Sequence, residues 1–418
     1  MARINRVREP IYTHEGAKAQ HINTEQQLRR SVMACMLWEQ SFYEDGKTIA
    51  DRIALLIPKV DPIQVALIAN EARNKMHLRH VPLLIAREMS RIDSHKDLVS
   101  QLLGDIICRP DELTEFLAIY WKDGRQPLSG QVKKGLASAF TKFDEYQLAK
   151  YNRDTAIRLR DVLFLCHAKP KDKAQDALWK RLINNELKTP DTWEVALSSG
   201  GDKKVHWERL LHEKRLGGMA LLRNLRNMDQ AGVHEQIVSD ALREMKPTRI
   251  LPFRFIAAAK HAPHLESDIE TAMFRCAEQL PKLDGKTILI VDTSGSMHGG
   301  QVSRKSDLTR VDAATALAIL VREQCENVKL YATAGNDYSR IHATCLVPSR
   351  RGFALSDAIW GDHMQRKIGG GGIFLKQCMD YVFEREKTAD RIIVFTDEQD
   401  CDNKANPASA NAFGKRNY

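Results

Sequence analysis

The rhythm of apolar residues changes once along this 418-residue chain, near Leu283, and that change limits the fold more than any other feature. Before it, apolar side chains recur three and four apart: Leu28, Val32 and Cys35, then Val65, Ile68, Ala72 and Met76. Such spacing lines one face of a helix, because about 3.6 residues complete a turn. After it, Thr287-Ile288-Leu289-Ile290-Val291 is a continuous apolar run of strand length, the kind found where a parallel sheet is covered on both faces. The chain therefore predicts an α + α/β protein, with helical repeats first and a doubly wound sheet second.

The helical part, from about Asn23 to Gln279, is punctuated in short intervals. Asp61-Pro62, Val81-Pro82, Arg109-Pro110 and Thr189-Pro190 predict helix starts, since proline at the first position gives up an N–H that has no partner there. Gly46, Gly104, Gly124 and Gly217-Gly218 predict stops. Many short helices with short connections predict a HEAT-like solenoid of helix pairs, its repeats divergent because no strict period is visible. The predicted domains are an extended arm over 1–22, a helical-repeat domain over 23–280 and an α/β domain over 281–418. In the last, a helix is expected over Arg310 to Cys325, strands over Val328 to Ala332 and His342 to Val347, a helix over Phe374 to Glu386 and a strand over Arg391 to Phe395. The chain ends at Tyr418, where a further strand and helix would be expected.

No stretch approaches the ~18 apolar residues of a membrane span, and Met1 to Pro10 has no apolar core of a secretory signal, so a cytoplasmic location without membrane partners is expected. The eight cysteines stand far apart, without a Cys-x-x-Cys pair, and are expected to be reduced thiols, mostly buried. The net charge of +9 is unevenly spread. Residues 122–181 hold 14 Lys and Arg against 7 Asp and Glu, while 1–121 and 182–280 are each balanced, so a polyanion is expected on that one segment. Its cations include Lys133, Lys134, Lys142, Lys150, Arg153, Arg158 and Arg160, and it runs through His167 and Lys169. Trp121, Tyr146 and Tyr151 could stack on unpaired bases, although helix packing is the plainer expectation.

At the end of the first strand stands Asp292-Thr293-Ser294-Gly295-Ser296, a D-x-S-x-S motif. A hard cation such as Mg²⁺ seeks oxygen ligands, and Ser294 and Ser296 offer two hydroxyls from one tight loop that Gly295 lets turn. Asp292 would support them, and Asp397 would face the same crevice from the end of a later strand. The arrangement resembles the von Willebrand factor A domain and its metal-ion-dependent adhesion site. That family completes the site with a threonine, and here Ile373 stands at the corresponding place after Gly369 to Gly372 and cannot ligate.

Four stretches of the helical part resemble the TROVE module of Ro-type ribonucleoproteins, in the family's order and ahead of the adhesion-type motif. They run from His77 to Glu88, from Leu159 to Pro170, from Ala220 to Met228 and from Ile250 to Arg254. The resemblance covers roughly residues 23–418 and is closest to the bacterial or phage branch. It implies a helical ring closed by the A-type domain, Y-like structured noncoding RNA on the outside, single-stranded 3′ ends of misfolded RNA in the hole, and an exoribonuclease tethered through the RNA. It also implies that Lys150, Arg160 and His167 contact the RNA, whereas Arg153 is displaced by one position, where Asp154 stands. Arg223 and Asn224 are expected to join helices rather than touch RNA.

No catalytic function is expected. His77 with His80 and His261 with His264 lack a matching ligand set, there is no P-loop, and Asp397, Glu398, Asp400 and Asp402 form an acidic cluster without an assigned base. The competing reading is a metal-dependent protein-adhesion module that binds no RNA.

Overall fold

The computed structural model describes residues 11–12, 18–19, 22–35, 45–246, 250–302, 307–397 and 400–402. Contacts divide the chain into two compact units, one from Ile22 to Val195, the other from Ala196 onward together with the N-terminal stretch. Within that stretch β1 (Ile11–Tyr12) and β2 (Lys18–Ala19) form a short antiparallel pair.

The first unit is helical: α1 (Thr24–Ala34), α2 (Gly46–Leu56), α3 (Pro62–Asn74), α4 (His80–Met89), α5 (Val99–Ile106), α6 (Pro110–Tyr120), α7 (Gly130–Phe140), α8 (Glu145–Tyr151), α9 (Leu159–Cys166) and α10 (Lys173–Asn184). Near neighbours pack on one another, α1 on α2, α3 on α4, α5 on α7 and α7 on α9, as stacked helix pairs do. The periodic residues read from the sequence fill one continuous core, including Leu28, Val32, Val65, Ile68, Ala72, Leu103, Phe116, Leu136, Phe140 and Val162. Each of the larger side chains among them contributes roughly 1.5–3 kcal/mol of burial free energy. Where α7 crosses α5 the backbones close up: a Cβ on Gly135 would lie 2.8 Å from Leu103 Cβ.

Asp61-Pro62 and Arg109-Pro110 start α3 and α6 as expected, while Val81-Pro82 falls in the first turn of α4. Thr189-Pro190 does not start a helix; the next one begins at Trp193. Three glycine stops are also overturned. Gly46 opens α2 because Asp45 caps it, accepting a hydrogen bond from the Thr48 N–H at 2.6 Å, and Gly104 lies inside α5. Gly217 is an N-cap and Gly218 the first residue of a helix. Glycine serves either end of a helix, and only its neighbours decide which. Gly124, at φ +117°, does follow the end of α6.

The stretch from His77 to Glu88 is held by buried charge. Glu112 is fully buried; its Oε1 accepts from Arg73 Nη2 at 2.6 Å and its Oε2 from the Cys108 N–H at 2.7 Å. Arg79 reaches Asp111 and Glu115. Of the cysteines, Cys35, Cys166 and Cys378 are buried and Cys108 is exposed, so burial is less general than expected. Burial pushes the Cys35 and Cys166 thiols up to about 11. Among the described residues no helix is long and apolar enough to cross a membrane.

The division falls within α11 (Trp193–Ser198), and the second unit continues with α12 (Lys203–His212), α13 (Gly218–Gln230), α14 (Glu235–Glu244), α15 (Pro252–His261) and α16 (Glu266–Glu278). Then follow β3 (Leu283–Asp292), α17 (Gly295–Gly299), α18 (Arg310–Gln324), β4 (Cys325–Asn336), β5 (Ile341–Leu346), α19 (Gly352–Trp360), α20 (Asp362–Ile368), α21 (Leu375–Arg385) and β6 (Arg391–Phe395). The strand order is β5-β4-β3-β6, with β3 parallel to both neighbours and β5 antiparallel at the edge. Four residues join β4 to β5, too few for the crossover a parallel partner needs. Ile288, Leu289, Ile290 and Val291 are fully buried at the centre, as the continuous apolar run requires. The α + α/β reading is borne out, and the expected strands and helices after Leu283 all form within a few residues of their anticipated bounds.

Candidate nucleic-acid surface and strand-end site

The nine cationic and histidine positions singled out in the sequence all lie in the first unit, on α7, α8 and α9 and in the segments that follow each of them. They differ in what holds them. Lys133 and His167 come together in one cavity of about 480 Å³, lined also by Trp121, Arg125, Gln126, Pro127, Leu128, Phe164 and Leu165. The packing of α7 on α9 places Lys133 beside the end of α9, and His167, exposed, caps that helix in the left-handed conformation, φ +53°. Phe164 is 58% exposed, unusual for so large an apolar side chain on a helix. The Arg125 guanidinium lies over the Trp121 ring at 5.1 Å, and the indole N–H donates to the Gln126 carbonyl at 2.7 Å. An apolar floor with cations at its rim suits an unpaired base and its phosphate.

The other positions are spread more widely. Lys134, Arg153 and Lys169 are exposed. Lys150 lies against the Tyr151 ring at 5.9 Å. Arg160 stands 4.0 Å from Asp161, at the limit of an ion pair, and Arg158 pairs with Asp154 in the segment between α8 and α9. Lys142 folds back to donate to the carbonyls of Gly104 and Ile107, closing the C-terminal end of α5. That fold-back gives Lys142 a structural task that no spacing in the sequence shows. Tyr146 is 50% exposed, and so is not the packing residue expected, whereas Trp121 packs partly against the core. Arg125 and Phe164 were missed: the first lies in a loop, and the second reads as one more apolar position of an amphipathic helix. Asn224 is buried and donates to the Ala220 carbonyl at 2.8 Å, in line with a structural role, while Arg223 is exposed.

At the carboxyl end of β3 the D-x-S-x-S loop takes a tight form. Asp292 is fully buried; Oδ1 accepts from the Ser294 N–H at 2.8 Å and Oδ2 from the Thr396 hydroxyl at 2.7 Å. Burial pushes its carboxyl up to about 6; the bonds from Ser294 and Thr396 oppose that rise and the nearby Asp397 adds to it. The Ser294 and Ser296 hydroxyls stand 3.2 Å apart, a separation two neighbouring ligands of one octahedral ion could share. The third loop does not complete such a set. Ile373 is 1% exposed and packs with Ile288, Ile290, Tyr331 and Cys378, while the glycine loop meets the motif by backbone alone, the Gly295 N–H donating to Gly371 O at 3.0 Å. A Cβ on Gly295 would lie 2.8 Å from Gly370 O, so glycine is needed for that close approach. Asp397 is engaged by Arg310 Nη1 at 2.8 Å. Asp292, Ser294 and Ser296 share one loop, to which Arg310 links Asp397, but the residues around them fit a divalent ion poorly. Among the described residues no three His, Cys, Asp or Glu side chains gather at metal-binding spacing.

The remaining acidic residues serve the fold. Asp400 accepts from the Leu375 N–H at 3.1 Å and Asp402 from the Gln377 side-chain amide at 2.8 Å, so both tie down the start of α21. Burial pushes Asp400 up to about 6. Glu398 lies outside the described residues.

Comparison with known proteins agrees with this geometry. Residues 180–283 match the family model of the TROVE domain. The chain is 30% identical over 152 residues to telomerase protein component 1 of Mus musculus, a match that takes in 35% of this chain and 6% of that protein. It is 35% identical over 92 residues to the Rattus norvegicus protein of the same name, covering 21% of this chain and 4% of that one. The chain thus spans only a small part of these relatives. Its fold is that of the Deinococcus radiodurans Ro (RSR) protein, with a TM-score of 0.64, 17% identity, and coverage of 94% of this chain and 90% of that one. The resemblance to TROVE-module, Ro-type proteins read from the sequence is borne out.

Proposed function

We propose that this protein is an RNA-binding component of a ribonucleoprotein particle, holding structured noncoding RNA of the Y type along residues 122–181. The observation that carries this reading is the meeting of Lys133 and His167 with Arg125, Trp121 and Phe164 in one cavity of the most basic segment of the chain. Lysine and arginine neutralise phosphates and release counterions, which supplies affinity; exposed rings receive unpaired bases, which supplies a preference for loops and ends. The TROVE match and the Ro-type fold support the same reading from an independent direction. Acceptance of the 3′ ends of misfolded RNA, and the tethering of an exoribonuclease through the bound RNA, are the roles we assign to such a particle in RNA quality control.

The test is binding of a structured RNA with an unpaired loop to the purified protein, followed as salt is raised. The expected result is co-purifying nucleic acid with excess absorbance at 260 nm, and a logarithm of the binding constant that falls linearly with the logarithm of salt concentration. A folded protein that binds no structured RNA at low salt overturns the proposal. RNA shortening that stops with a chelator would instead indicate a nuclease, and a magnesium-dependent protein partner without RNA an adhesion module.

A further inference from the structure

We propose that Arg310 is the resident cation of the strand-end site: its guanidinium takes the place a divalent metal would hold, and the D-x-S-x-S loop is kept closed without a metal. Nη1 donates to Asp397 Oδ2 at 2.8 Å and to the Ser296 carbonyl at 3.2 Å, linking the first loop of the site to the last. The pair is enclosed, with 17% of the Arg310 side chain and 2% of the Asp397 side chain exposed.

Three further features point the same way. Gly300 provides the berth. A Cβ there would stand 2.5 Å from Arg310 Nε and 2.7 Å from Cζ, yet its φ of −114° is one any residue adopts. The glycine is therefore needed for space, and the space is filled by the guanidinium. Second, Arg310 is the first residue of α18, where the exposed N–H groups disfavour a cation, so helix formation does not explain its choice. Third, the place from which another oxygen ligand would come is taken by Ile373, which is buried in the core. A dication entering beside Asp397 would meet a fixed positive charge and would have to displace it.

Removing the guanidinium should turn this place into a metal site, because it takes away the cation that joins the Asp397 carboxylate to the loop carrying the two serine hydroxyls. The experiment titrates Mn²⁺ and Mg²⁺ into the full-length wild-type protein, Arg310→Met and the double variant Arg310→Met/Asp397→Asn. Binding is read by calorimetry, by Mn²⁺ electron paramagnetic resonance and by the shift in melting temperature. The wild type is expected to show no saturable binding and no shift, Arg310→Met to bind one ion and gain stability with it, and the double variant to lose both effects. Saturable binding of one ion by the wild type, abolished by Asp397→Asn, overturns the proposal whatever the variants do. So does a folded Arg310→Met that gains no ion. If Arg310→Met does not fold, Gly300→Ala, which crowds the guanidinium from its berth, goes through the same titration and must gain the ion for the proposal to stand.

Discussion

The cations of residues 122–181 and the guanidinium at the end of β3 belong to the same chain but live under different electrostatic rules. Most of the former face water, such as Arg158, whose partner Asp154 is a near neighbour in the chain, and Lys133 at the rim of its cavity. Arg310 is held by a carboxylate 87 positions away, in a place where little water screens the pair. An exposed charge costs little to leave unpaired and remains available to a polyanion. A buried one must be answered within the protein, so removing its partner is expensive. The same residue type is thus a binding group in one region and a structural fastener in the other.

The comparison can be broken most readily at its buried end. Replacing Arg310 by Met in metal-free buffer should destabilise the fold by about 3–5 kcal/mol, measured by denaturant unfolding, since a buried ion pair then loses one of its members. A loss below about 1 kcal/mol would place this pair with the surface ones. Next in size, Phe164→Ala should weaken binding of RNA with an unpaired loop by about 1–3 kcal/mol while the melting temperature stays near that of the wild type, because the ring is largely exposed. Lys133→Ala should flatten the salt dependence by about 0.7–0.9 in the log–log slope, the loss of one phosphate contact. Smallest of all, Arg158→Ala should change stability by only about 0.2–1 kcal/mol, the range of a surface ion pair, since Asp154 is exposed and both residues stand outside the helices.

How far the sequence could foresee this followed the same division. Elements whose cause is local were legible: Arg391–Phe395 stands where its apolar run predicts, and Pro62 and Pro110 begin their helices. Glycine was not, because Gly46 and Gly218 suit the start of a helix as well as the region after its end, and only the cap at Asp45 or Gly217 decides. Ile373 was legible as a residue that cannot ligate; that it turns into the core beside Ile288 depended on the sheet. Groups whose partners are remote stayed hidden. Lys142 meets the carbonyls of α5 from 35 and 38 positions away, and Arg310 finds Asp397 only once β3 and β6 lie side by side. The cavity is an intermediate case, its Lys133 and His167 visible as charge and its Phe164 concealed in a helical pattern.

The account rests on the cavity at α7 and α9 being where RNA meets the chain. The most direct test compares the wild type with Lys133→Ala/Phe164→Ala/His167→Ala for binding of a structured RNA across a salt series, with circular dichroism confirming the fold of both. The expected result is salt-dependent binding by the wild type and a loss of at least about tenfold in affinity, with a shallower salt slope, in the triple variant. Equal affinity and equal slope in the two proteins would contradict the account.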